Sequence, residues 1–133
     1  PYAASLEDGG EMPITVPTRD SVAFSIASPV ATYQGVQTIR DSGGTAVAVG
    51  EDATITHAQR QLAAAGLYLE NSAAICLPAA ARLAGGTLSQ EDLVVLIATS
   101  SGLKDTRGTA NGLAAVPTIS PDLNELSRIV NET

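Results

Sequence analysis

The chain has 133 residues, of which 44% are hydrophobic, and a formal net charge of -7. That is enough apolar material for one domain with a core, and the acidity sets the surface against phosphate backbones and anionic membrane faces, so neither nucleic acid nor membrane is an expected partner. A single cysteine, Cys76, excludes an internal disulfide, and no apolar run reaches the roughly 20 residues that span a bilayer.

In chain order, residues 1–20 read as an irregular lead-in, broken by Gly9-Gly10, Pro13 and Pro17. Residues 21–26 form a short apolar patch that ends at Ser28-Pro29. Residues 31–42 have helical spacing through Tyr33, Val36 and Ile39 or Arg40, closed by Gly43-Gly44. Residues 45–49, Thr-Ala-Val-Ala-Val, read as a short buried strand. Asp52 is an expected N-cap for a helix through Ile55, Ala58, Gln59, Leu62 and Ala65, which stops at Gly66. Residues 67–69 read as a second strand, and Ser72 as the cap of a third helix running towards Leu83, which Pro78 kinks or restarts. Residues 89–92 make a capped turn, and residues 93–98, Leu-Val-Val-Leu-Ile-Ala, are apolar on both faces and predict a central strand. Residues 99–118 are polar and loop-like. Ser120-Pro121-Asp122 opens a last helix with Pro at its first position and an apolar stripe of Leu123, Leu126, Ile129 and Val130.

Alternating helices and strands predict an α/β fold in layers around a parallel sheet over residues 21–133. In such sheets ligands bind beyond the carboxyl ends of the strands. Two polar turns lie there: Thr99-Ser100-Ser101-Gly102 after the central strand, and Glu70-Asn71-Ser72 after residues 67–69. Ordinary turn and cap chemistry is the competing explanation for both. Cys76 lies in an apolar run without a basic neighbour and reads as a buried, inert thiol. His57, the only histidine, has no ligand partners at metal spacing, so no metal site is expected.

The run Thr99-Ser100-Ser101-Gly102-Leu103-Lys104-Asp105 resembles the Thr-Gly-x-Gly-Leu-Lys-Asp element of the threonine synthase family of pyridoxal-phosphate enzymes. Glu70-Asn71-Ser72-Ala73-Ala74 is similar to the family's Glu-Pro-x-Ser-Ala. Weaker matches are Ile39-Arg40-Asp41-Ser42-Gly43-Gly44-Thr45-Ala46-Val47-Ala48-Val49 and the closing Ile119-Ser120-Pro121-Asp122-Leu123, and the resemblance runs from about Ser25 to the end. The resemblance implies the C-terminal portion of a three-layer, tryptophan synthase β-like enzyme that turns phosphohomoserine into threonine. It implies that Thr99 meets the pyridine nitrogen of pyridoxal phosphate, with Ser100 beside it and Glu70 close to the cofactor. A hydroxyl leaves that nitrogen largely unprotonated, which moderates the electron sink. Ser100 stands where the family has a glycine, and Asn71 and Ala73 replace Pro and Ser, which bears on substrate identity.

Pyridoxal phosphate needs a lysine to hold it. Lys104 is the only lysine, at a non-catalytic position of the motif, and no glycine-rich phosphate loop follows a strand. The expectation is therefore a chain with no catalytic residue of its own, inactive alone, completed by the N-terminal part of the same enzyme. The first residue is Pro1 rather than Met, consistent with a processed or truncated chain, and no signal peptide is visible. A cytoplasmic homodimer acting on a small amino-acid substrate is expected. The alternatives are a threonine or serine ammonia-lyase of the same superfamily and a non-catalytic α/β binding module.

Overall fold

The computed structural model describes residues 1–50, 52–111 and 113–132, with Glu132 in its backbone alone. Helix α1 (Tyr2–Asp8) lies within the lead-in read as irregular and ends at Gly9. A 3-10 turn at Phe24–Ile26 follows. Helix α2 (Tyr33–Asp41) forms where the spacing predicts it: Thr32 Oγ1 accepts from Gly35 N at 3.2 Å as N-cap, and Val36 is fully buried. Gly43 then takes φ 65°, a conformation that costs a residue without Cβ little. The turn is tied back to α1, because Arg40 donates to the Gly10 carbonyl at 2.7 Å and Tyr2 shares a hydrogen bond with Thr32 Oγ1 at 3.2 Å.

Helix α3 (Asp52–Ala64) buries Ile55, Ala58 and Gln59 from the expected stripe. Asp52 is its first residue, and its Oδ1 accepts from Ser21 Oγ and Val22 N, tying the helix start to the preceding patch. The predicted third helix divides into α4 (Asn71–Ala74) and α5 (Cys76–Leu83). The break falls at Ile75, just before Pro78, whose missing N–H removes one rung of the helical ladder. Ser72 is inside α4 rather than its cap; Glu70 holds the N-cap place, and Ser72 Oγ accepts from Ser25 N at 3.2 Å. A second 3-10 turn (Gly102–Lys104) and helix α6 (Thr106–Ala110) occupy part of the stretch read as loop. Helix α7 (Leu123–Glu132) starts two residues later than predicted, so Pro121 precedes it and Asp122 caps it, accepting from Asn124 N and Glu125 N at 2.9 Å.

The α/β class is overturned. Among the described residues there is no sheet: two isolated bridges, Leu69–Ser101 and Ala84–Leu88, are the only β pairing. Residues 93–98 form no strand and make no hydrogen bond to a described residue. Exposure along them alternates, 94%, 44%, 77%, 39% and 74% from Leu93 to Ile97, as on a strand with one side against the protein. Val94 and Leu96 turn towards a cavity of about 570 Å³ beside Leu77, Ala80 and Ala84 of the α5 region. In place of a ladder, side chains meet residues 45–50 at two carbonyls: Arg82 donates to Ala48, and Arg19 donates to Gly50 at 2.7 Å. A strand exists only through a partner backbone elsewhere in the chain, and neither run has one here.

The core sits where α3 packs on α4 and α5, where α1 packs on α2, and where α4 meets the first 3-10 turn. Its buried apolar residues are small apart from Val36 and Ile55: Ala23, Ala31, Ala58, Ala73 and Ala74. The chain exposes 9372 Å², well above the about 6,500 Å² of a closed globule of its mass. The excess comes from apolar faces left open, including α7, where Leu123, Leu126 and Val130 are all exposed.

Candidate functional site

The two polar turns singled out from the sequence meet. Antiparallel pairing at Leu69–Ser101 lays residues 68–70 beside 100–102. Glu70 N donates to the Ser100 carbonyl at 3.2 Å, and Gly102 N donates to the Tyr68 carbonyl at 2.9 Å. Two short segments about 30 residues apart are thereby locked side by side, and each turns at once into a helix. The Glu70 carbonyl accepts from Ala73 N and Ala74 N to begin α4, and Ser101 Oγ accepts from Leu103 N to begin the second 3-10 turn.

Glu70 is 4% exposed, and its carboxylate makes no cap to α4. Its Oε2 is sealed from solvent and has no hydrogen-bond partner, as does Oδ1 of the adjacent Asn71. A buried carboxylate oxygen without a donor is expensive, so a simple cap does not account for it. Thr99 is exposed and Ser100 half-buried, on irregular backbone rather than at the end of a sheet strand. Neither hydroxyl is bonded to a described residue, so both are available to an incoming group. Lys104 is exposed on the 3-10 turn and Asp105 caps α6, its Oδ1 accepting from Gly108 N at 3.0 Å.

Sequence reasoning missed the residues that hold this junction. Gly102 is buried because the Tyr68 ring lies over it; a Cβ there would sit 2.5 Å from ring carbons. The Tyr68 hydroxyl shares a 2.7 Å hydrogen bond with Thr109 Oγ1 on α6, and Gln59 Nε2 of α3 donates to the same oxygen at 3.3 Å. The available signals were the lone aromatic in Leu67-Tyr68-Leu69 and a glycine directly following two serines.

Other candidates are not drawn in. His57 is exposed on α3, and the described residues contain no group of three or more His, Cys, Asp or Glu able to hold a metal. Cys76 is a free, half-buried thiol rather than a fully buried one. Among the described residues no helix is long and apolar enough to cross a membrane.

Of the residues that the resemblance sets beside pyridoxal phosphate, Thr99 and Ser100 present hydroxyls of the kind a pyridine nitrogen accepts from, whereas the unpaired Glu70 oxygen is sealed from solvent. Lys104, the one lysine, is solvent-exposed on the second 3-10 turn.

No family model matches the chain. It is 31% identical over 123 residues to the threonine synthase of Methanocaldococcus jannaschii, an alignment that takes in 91% of this chain and 30% of that protein. The chain thus spans less than a third of the length of the curated relative it matches.

Proposed function

We propose that this chain is the C-terminal part of a cytoplasmic pyridoxal-phosphate-dependent lyase of the threonine synthase kind, converting phosphohomoserine to threonine. In this reading the N-terminal part of the same protein brings the lysine and the phosphate-holding loop, and this chain brings the groups that meet the cofactor ring. The bound cofactor supplies the electron sink for chemistry at the substrate's β and γ carbons. Thr99 offers its hydroxyl to the ring nitrogen without a carboxylate's pull on the proton. Ser100 sits beside it, and Glu70, whose carboxylate is buried, pairs with the same turn through its backbone.

The observation that carries the reading is the Glu70 N–Ser100 O hydrogen bond at 3.2 Å. It joins the two segments that the resemblance pairs at one cofactor, and the distant likeness to a threonine synthase supports the same assignment. The apolar residues 93–97 and the α7 stripe are read as surface that the N-terminal part covers in the whole enzyme, itself a homodimer.

The test is a pyridoxal phosphate titration of the whole protein with and without Thr99→Val, which keeps the shape and removes the hydroxyl. Loss of one buried hydrogen bond should weaken binding by about 1–3 kcal/mol and slow turnover while leaving helical content intact. Cofactor uptake and turnover equal to wild type would reduce Thr99 to a turn residue and remove the main support for the assignment. The present chain alone should form no yellow adduct with the cofactor and catalyse nothing.

A further inference from the structure

We infer that Tyr68 is a positioning residue of the proposed cofactor site, acting through Gly102 and Thr109; the functional half of this inference rests on the proposed function. Tyr68 grips the turn in three ways. Its carbonyl accepts from Gly102 N at 2.9 Å, its ring fills the space over Gly102 that any Cβ would need, and its hydroxyl reaches Thr109 Oγ1 at 2.7 Å. Thr109 is in turn held by Gln59, which is 5% exposed on α3 beside the buried Ile55 and Ala58. The path Gln59–Thr109–Tyr68–Gly102 therefore links the core to a turn that otherwise has few anchors, since residues 93–99 upstream make no hydrogen bonds to described residues. Ser100 and Thr99 lie two and three residues before Gly102, so the setting of this clamp fixes where their hydroxyls stand.

The clamp depends on the two hydroxyls and not merely on the bulk of the ring. In the whole protein, Tyr68→Phe keeps the ring and should speed hydrogen exchange at Glu70 N–H and Gly102 N–H about five- to tenfold, as the loss of one hydroxyl bond implies. Exchange at Val36 in α2 should be unchanged. Thr109→Val should reproduce the effect, and Thr109→Ser, which restores the hydroxyl, should not. The absorption band of bound pyridoxal phosphate should shift in Tyr68→Phe and Thr109→Val and stay at the wild-type position in Thr109→Ser. Unchanged exchange at the two amides overturns the clamp, as does acceleration spread equally over all helices, which would mark Tyr68 as a general stability residue. Faster exchange with an unaltered band overturns the link to the cofactor. A wild-type protein that takes up no pyridoxal phosphate overturns the proposed function instead, and the exchange result then decides the clamp by itself.

Discussion

At Gly102 the chain has no room for a side chain. A methyl group there would meet the Tyr68 ring at 2.5 Å, and the ring is held by its bond to Thr109 and cannot simply swing aside. Gly102→Ala should therefore destabilise the chain by about 1–3 kcal/mol, the range for overpacking, read as a lower urea midpoint with an unchanged slope. A midpoint equal to wild type would mean that the Tyr68 ring moves freely. Tyr2 gives a second residue-level expectation. Its hydrogen bonds to the side chain and then the backbone of Thr32 hold its phenol below the usual tyrosine range. A folded-state value below the unfolded one adds stability that is present above the unfolded pKa of about 10 and is lost as pH falls through the folded value. The α1–α2 contact should thus tighten at alkaline pH, and Tyr2→Phe should remove from an absorbance titration a phenol that ionises below the usual tyrosine range. Loss of a phenol of ordinary range instead would contradict the Tyr2–Thr32 pairing.

At the scale of elements, the helix ends carry most of the local specification. Thr32 satisfies an otherwise open N–H of α2, so Thr32→Val should cost about 1 kcal/mol and lower the thermal midpoint, whereas Thr32→Ser should cost little. Equal midpoints for all three forms would show that the cap contributes nothing. The existence and C-terminal end of α2 were legible because their signals are local: the spacing of Tyr33, Val36 and Ile39 or Arg40 and the glycines at 43 and 44 mark it from within one short window, although the Thr32 cap was not singled out. The strands were not, because an apolar run such as residues 93–98 specifies an extended backbone and alternating faces but not the distant backbone that must pair with it. The motif resemblance set Glu70 and Ser100 beside one cofactor, but did not show the direct pairing of their backbones. The clamp on that pairing was not legible either, since Tyr68 and Thr109 are 41 residues apart and Thr109 lies in a stretch that reads as loop yet forms α6.

For the whole molecule, the open apolar surface has a direct consequence. Leu93, Val95 and Ile97 lie exposed on a stretch that pairs with no described backbone, and α7 adds Leu123 and Val130, a combination that drives association in water. The present chain alone should self-associate with rising concentration, and Val95→Glu together with Ile97→Glu should return it towards monomer. Light scattering that reports a strict monomer at every concentration would contradict the view of this face as one made to be covered. If, as proposed, Thr99 sets a hydroxyl rather than an acid against the cofactor's ring nitrogen, the nitrogen resonance of ¹⁵N-labelled pyridoxal phosphate bound to the whole protein lies in the unprotonated range in the wild type and moves to the protonated range in Thr99→Asp. The same resonance position in both proteins would place Thr99 away from the ring.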